Sequence, residues 1–133
     1  MQRIRQRFSH FQKAFFNLKE IKDNKNRIFS TLEKEGIIQR FEVLVELSWK
    51  IIKDFLETEG FMIKSPKDSI RKAFEYGLLS ECEKWLQALE IRNITSHTYT
   101  EQGLDENLTY ILNDFYPLVC EVYEKLENLI CAD

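Results

Sequence analysis

The residues best equipped for chemistry stand in one short stretch, Ile91-Arg92-Asn93-Ile94-Thr95-Ser96-His97-Thr98-Tyr99. It contains one of only two histidines, with an arginine five positions before it and a tyrosine two after. An imidazole changes charge near neutral pH and suits proton transfer. A guanidinium offers a planar fork of donors to a phosphate or carboxylate. Spacing restricts how the two combine. On a straight helix, Arg92 and His97 are about 140° apart and share no face. Asn93 and His97 are about 40° apart and can share one. Arg92 therefore joins His97 only where the helix ends or kinks between them, or where two such segments meet across a dimer. Thr95 and Ser96, which favour helix ends, allow such a break. The same residues also read as a plain polar helix terminus, with Arg92 in a salt bridge, Asn93 as a cap and His97 near the last carbonyls.

Other chemistry is poorly represented. His10 falls with Arg3 and Arg7 on the polar side of a predicted helix and reads as a surface histidine. Glu42 and Glu46 are four apart, as are Glu46 and Lys50, which suits a solvated face with an ordinary ion pair. Glu46 could alternatively orient Arg92 or His97. No helix carries the histidine and carboxylate partners of a metal site, and no cofactor is expected. Gly36, Gly60, Gly77 and Gly103 are too scattered for a phosphate-cradling loop. Cys82, Cys120 and Cys131 include no C-x-x-C pair and fit reduced thiols better than a disulfide framework.

Positioning these residues falls almost entirely to helices. Four glycines and two prolines in 133 residues leave too little turn chemistry for an all-β fold. Ile4, Phe8, Phe11, Phe15 and Leu18 form one stripe of a first helix ending near Asp23-Asn24 and Asn26. Ile28, Phe29 and Leu32 follow as packing residues in a turn. A second helix is predicted over 37–59, with Gly60 as its C-terminal cap. Phe41, Leu44, Val45, Ser48, Trp49, Ile52, Phe55 and Leu56 form its broad apolar face, and Val43, Leu47 and Ile51 a stripe beside it. So much apolar circumference asks for cover from several directions, within a bundle and across a dimer. Ser65-Pro66-Lys67-Asp68 starts a short helix that Gly77 ends. Ser80 and Glu83 are spaced as a capping box for the helix bearing Trp85, Leu86 and Leu89, which runs to about Asn93 or beyond. A last helix spans 104–130, with Leu108, Ile111, Leu112, Phe115, Leu118, Val122, Leu126 and Leu129 inside and Pro117 as a kink. The expected fold is all-α: one domain over 1–133, an antiparallel bundle of four main helices plus a short one.

Net charge is -3, which argues against a protein that coats nucleic acid. The distribution is uneven. Residues 3–27 carry eight Lys or Arg against Glu20 and Asp23, whereas Glu121, Glu124, Glu127 and Asp133 face only Lys125 near the other end. Two solvated faces of opposite sign account for this, as does a local basic surface for phosphates. The N-terminal MQRIRQRF lacks an apolar leader core and no apolar run reaches membrane-spanning length, so a soluble cytoplasmic protein is expected.

The stretch Arg92-Asn93-Ile94-Thr95-Ser96-His97-Thr98-Tyr99 resembles the Arg-x4-His-x-Tyr motif of HEPN domains. Gly36-Ile37-Ile38-Gln39-Arg40-Phe41-Glu42, Glu46-Leu47-Ser48-Trp49-Lys50, Ser65-Pro66-Lys67 and Trp85-Leu86 extend the likeness to the nucleotidyltransferase substrate-binding proteins, one branch of that group. Together these segments carry the resemblance from about Phe8 to Leu129. It implies a homodimeric helical bundle partnered with a minimal nucleotidyltransferase, its motif residues in a cleft between subunits. In the active branch such proteins are metal-independent endoribonuclease toxins. Arg92 would then neutralise the scissile phosphate of single-stranded RNA, and His97 would be general acid or base. Asn93 would orient His97 or the phosphate, with Glu46 and Arg40 in support. Tyr99 would be the hydroxyl that receives AMP from the partner, or else a ring packed in the core. The alternatives are a non-catalytic subunit presenting a nucleotide or other substrate to the nucleotidyltransferase, and a plain helical interaction module.

Overall fold

The structure, a computed structural model, describes residues 2–24, 27–95 and 100–131. In chain order they form α1 (Gln2–Asp23), α2 (Thr31–Thr58), α3 (Pro66–Tyr76), α4 (Cys82–Thr95), α5 (Glu101–Thr109) and α6 (Tyr116–Ile130). Six residues in π-helical turns, Tyr110–Phe115, join α5 to α6. α5, these turns and α6 make up the predicted last helix, so the architecture is the all-α bundle of four main helices plus the short α3. Among the described residues no helix is long and apolar enough to cross a membrane.

The hub is α2, which packs against α1, α3, α4 and α5. Ten of its residues are buried, among them Phe41, Leu44, Ile52 and Leu56. Such side chains contribute roughly 1.5–3 kcal/mol each when removed from water. The predicted stripe of α1 is buried in full, Ile4 through Leu18. It meets α6 as well as α2: the Phe15 and Tyr123 rings stack at 4.3 Å, and Gln12 Nε2 donates to Tyr123 Oη at 2.7 Å. Trp85 of α4 is completely buried and meets Phe115 edge-on at 5.6 Å. Phe115 also meets Phe41 edge-on at 4.8 Å. Those three rings fasten α2, α4 and the C-terminal helix to one another.

Several local expectations need correction. α2 begins at Thr31, six residues before the predicted start, because Ser30 and Glu33 form a reciprocal capping box. Gly36 is therefore inside the helix. Ile28 and Leu32 do not pack: they are 94% and 79% exposed, and of that group only Phe29 is partly covered. Ser80 does not cap α4. Its backbone N–H and its hydroxyl both donate to Glu121 Oε1, at 2.9 and 3.1 Å, and α4 starts two residues later. On the last helix Leu129 is half exposed and Ile130 is buried instead.

Other punctuation matches the reading. Ser65 Oγ accepts from Asp68 N–H at 3.0 Å, with Pro66 at the first helical position. Gly77 adopts φ +99°, a left-handed turn that a side chain resists. Pro117 has no N–H to give and its ring would collide with the carbonyl one turn back. The helix answers by widening just before it, where Tyr116 N–H reaches back five residues to Ile111 O.

Candidate functional site

The last two turns of α4 carry Arg92 and Asn93 to the middle of α2. Arg92 Nη2 approaches Glu46 Oε1 at 2.6 Å, and Arg92 Nη1 donates to Asn93 Oδ1 at 3.2 Å. The other carboxylate oxygen, Glu46 Oε2, is 3.4 Å from Lys50 Nζ. Glu46 thus bridges two cations, one on its own helix and one on α4. Arg92 and Glu46 side chains are 32% and 29% exposed. A pair so placed contributes no more than about 1 kcal/mol to stability. Its main effect is to fix the direction of the guanidinium.

The pair opens onto a groove of about 320 Å³ between α2, the start of α3 and the end of α4. Trp49, Ser65, Pro66, Lys67, Leu89, Glu90 and Asn93 line it with Glu46 and Arg92, two cations against two carboxylates. The start of α3 is tied to α2 by Ser69 Oγ, which donates to the Trp49 carbonyl at 2.9 Å. With Arg92 and Lys67 at its rim, the groove can take an anionic group at one edge and an apolar or aromatic one against Trp49 and Leu89.

Of the predicted site residues, the structure brings together Arg92, Asn93 and Glu46. Arg40 is exposed on α2 and lines no part of this groove. His97 and Tyr99, with Ser96 and Thr98, lie outside the described residues. Trp49 and Lys67 were not recognised as groove residues. Trp49 belongs to the apolar face of α2 by periodicity, yet it is only partly buried and forms a wall. The segment Ser65-Pro66-Lys67, read as a helix start and as part of the family resemblance, was the available signal for Lys67.

A larger groove of about 600 Å³ lies between α4 and the C-terminal helix. Glu81, Asp114 and Glu121 face Lys84 there, a sign of charge that disfavours phosphate. Burial and the neighbouring Asp114 push the Tyr110 hydroxyl in its wall up to about 12. Its excess of carboxylates, and the absence of Arg92 and Asn93 from its lining, leave the Arg92 groove as the candidate site. Among the described residues no cluster of three or more His, Cys, Asp and Glu side chains is placed to hold a metal ion.

Comparison with known proteins gives consistent relatives. The family described as "Nucleotidyltransferase substrate binding protein like" matches residues 6–128. A Haemophilus influenzae protein named "Probable ribonuclease HepT" is 39% identical over 72 residues, which cover 50% of this chain and 49% of that protein. The matched region therefore spans only about half the length of this curated relative. A crystal structure of a Thermus thermophilus protein superposes with a TM-score of 0.75 at 35% identity, covering 87% of this chain and 98% of the other. A Haemophilus influenzae structure described as the fold of a substrate binding domain of a nucleotidyltransferase gives a TM-score of 0.71 at 28% identity, covering 90% and 98%.

Proposed function

Because the chain belongs to the nucleotidyltransferase substrate binding protein like family, we propose that it is the HEPN partner of a minimal nucleotidyltransferase and a metal-independent endoribonuclease. In this reading Arg92 neutralises the scissile phosphate. His97 takes the proton of the ribose 2′-hydroxyl or returns one to the leaving oxygen. Two subunits supply the second histidine, and Asn93 and Glu46 hold Arg92. The observation that supports it most directly is the Arg92 guanidinium, fixed by Glu46 at 2.6 Å and Asn93 at 3.2 Å beside an open groove, five residues before His97. The HepT-named relative agrees with this chemistry. Control is assigned to Tyr99: the partner transfers AMP from ATP to its hydroxyl, forming an O–P bond and releasing pyrophosphate. The added phosphodiester charge competes with RNA for Arg92, and the adenosine blocks the cleft.

The test is cleavage of single-stranded RNA by purified protein with chelator present, before and after incubation with the cognate nucleotidyltransferase and ATP. Wild type should cut. Arg92→Ala and His97→Ala should each lose about 10²-fold or more while staying folded. Incubation should add one AMP to the peptide containing Tyr99, absent in Tyr99→Phe, and stop cleavage. If both variants cut like wild type, the ribonuclease reading fails. The alternative, a non-catalytic subunit that presents substrate to the nucleotidyltransferase, then takes its place, in keeping with the Haemophilus influenzae structure described as a substrate binding domain of a nucleotidyltransferase.

A further inference from the structure

The basic stripe of α1 has no part in the Arg92 groove. Arg3, Arg7 and His10 are spaced four and three apart and so share one face of the helix. Arg7 and His10 face α2 across a second groove, of about 340 Å³, completed by Leu47, Trp49, Lys50, Ile51 and Lys53. Among the described residues no carboxylate lines it. Trp49 is common to this groove and to the one holding Arg92. The two are therefore adjoining, with the indole as the divide and Glu46–Lys50 at the junction.

We propose that this second groove binds the nucleotides of single-stranded RNA that flank the phosphate held at Arg92. The proposal rests on the reading of single-stranded RNA as the substrate. Its chemistry is that of a single-strand channel: cations along the backbone path and an aromatic ring on which a base can stack. Lys50 lies over the Trp49 ring at 5.8 Å, so charge and stacking surface coincide. From Glu46 to Lys53 the helix rises about 10 Å, which extends the anion path well beyond one phosphate. The two lysines are only loosely committed elsewhere. Lys50 and Lys53 meet Glu46 and Glu57 at 3.4 and 4.0 Å in solvent-accessible i,i+4 pairs, with Glu46 the most covered of the four. Such pairs are weak, and an incoming phosphate displaces them readily. Arg7 is held more firmly by Asp54 at 2.8 Å and sets the outer edge. The larger groove on α4, by contrast, presents three carboxylates and would repel the same ligand.

The test is fluorescence anisotropy with a labelled 2′-O-methyl 12-mer of uridine, which cannot be cut through its 2′ oxygen, titrated against the full chain over a range of salt. A Lys50→Ala/Lys53→Ala double variant should weaken binding about tenfold. The slope of log affinity against log salt should fall in magnitude by about 1.4, about 0.7 per phosphate contact on a single strand. His10→Ala should weaken binding less. Lys72→Ala/Lys84→Ala, remote from the groove, should bind like wild type, and circular dichroism should show every variant folded. Unchanged affinity and slope in the groove variants overturn the proposal, as does the absence of any binding by wild type at low salt. So does a groove variant that binds RNA normally and loses only the nucleotidyltransferase, which would make the groove a protein contact. Cleavage of ordinary RNA is measured alongside. Groove-dependent binding by a wild type that cuts nothing keeps this proposal and removes the ribonuclease reading. Cleavage with groove-independent binding does the reverse.

Discussion

Arg92 takes its direction from a carboxylate forty-six positions earlier in the chain. Periodicity marks Glu46 as one polar residue among several on α2, and only the packing of α4 across that helix distinguishes it. The Arg92–Asn93 contact was legible, because the two residues are adjacent; the anchor was open to two readings, because it comes from another element. Under the proposed chemistry this placement makes Glu46 a positioning residue. Glu46→Ala should lower RNA cleavage by about 10-fold to 10²-fold, the scale on which misdirected groups lose rate. Glu46→Gln, which still offers an oxygen to the guanidinium, should recover part of it. Melting temperature should barely move, since a partly exposed pair of this kind is worth no more than about 1 kcal/mol. A purely structural role would give the opposite pattern, lower melting temperature with an unchanged rate per folded molecule.

At the scale of elements, the long apolar stripes were readable and the joints between them were not. The α1 stripe is visible because its steps of four and three are unbroken from Ile4 to Leu18. The start of α2 was obscured because Ile28 and Leu32 look like core residues and stand on either side of the true cap, Ser30. Ser80 misled for another reason. Its spacing to Glu83 suits a capping box, but Glu121, forty-one residues away, takes both of its donors. That joint between the α3–α4 turn and α6 has a pH signature. Partial burial works against the Glu121 charge, but the Ser80 N–H, the Ser80 hydroxyl and Lys125 outweigh it and hold the carboxyl below its ordinary range. A carboxylate lowered by folding contributes stability above the ordinary Glu range near about 4.3 and loses it as pH falls through the folded value. Glu121→Gln should therefore cost about 1 kcal/mol at pH 7, and its urea midpoint should converge on that of wild type as pH falls below the ordinary Glu range. An equal gap above and below that range would show that the charge contributes nothing there.

On the scale of the whole molecule, the second stripe of α2 changes character along its length. Ile51 is buried, Leu47 is partly covered and Val43 is 47% exposed. The other helices cover one end of that stripe and leave the other open beside Glu46, which fits the proposed dimer. Val43→Glu should weaken self-association at least tenfold, about 1.4 kcal/mol, in sedimentation velocity. It should lower cleavage in parallel if two subunits complete the site. A wild type that is monomeric at micromolar concentration counts against the cleft between subunits. The aromatic pairing of α1 with α6 has a consequence of a different kind, for synthesis on the ribosome. The stack of Phe15 on Tyr123 and the hydrogen bond from Gln12 to Tyr123, 111 residues on, join an early-made segment to one made much later. At about 5–20 residues per second, the Phe8–Phe15 face of α1 waits roughly 5–20 s for its aromatic partner to emerge. α2 can cover the other side of that face almost at once, so the nascent chain leaves one oily seam unsealed until Tyr123 emerges.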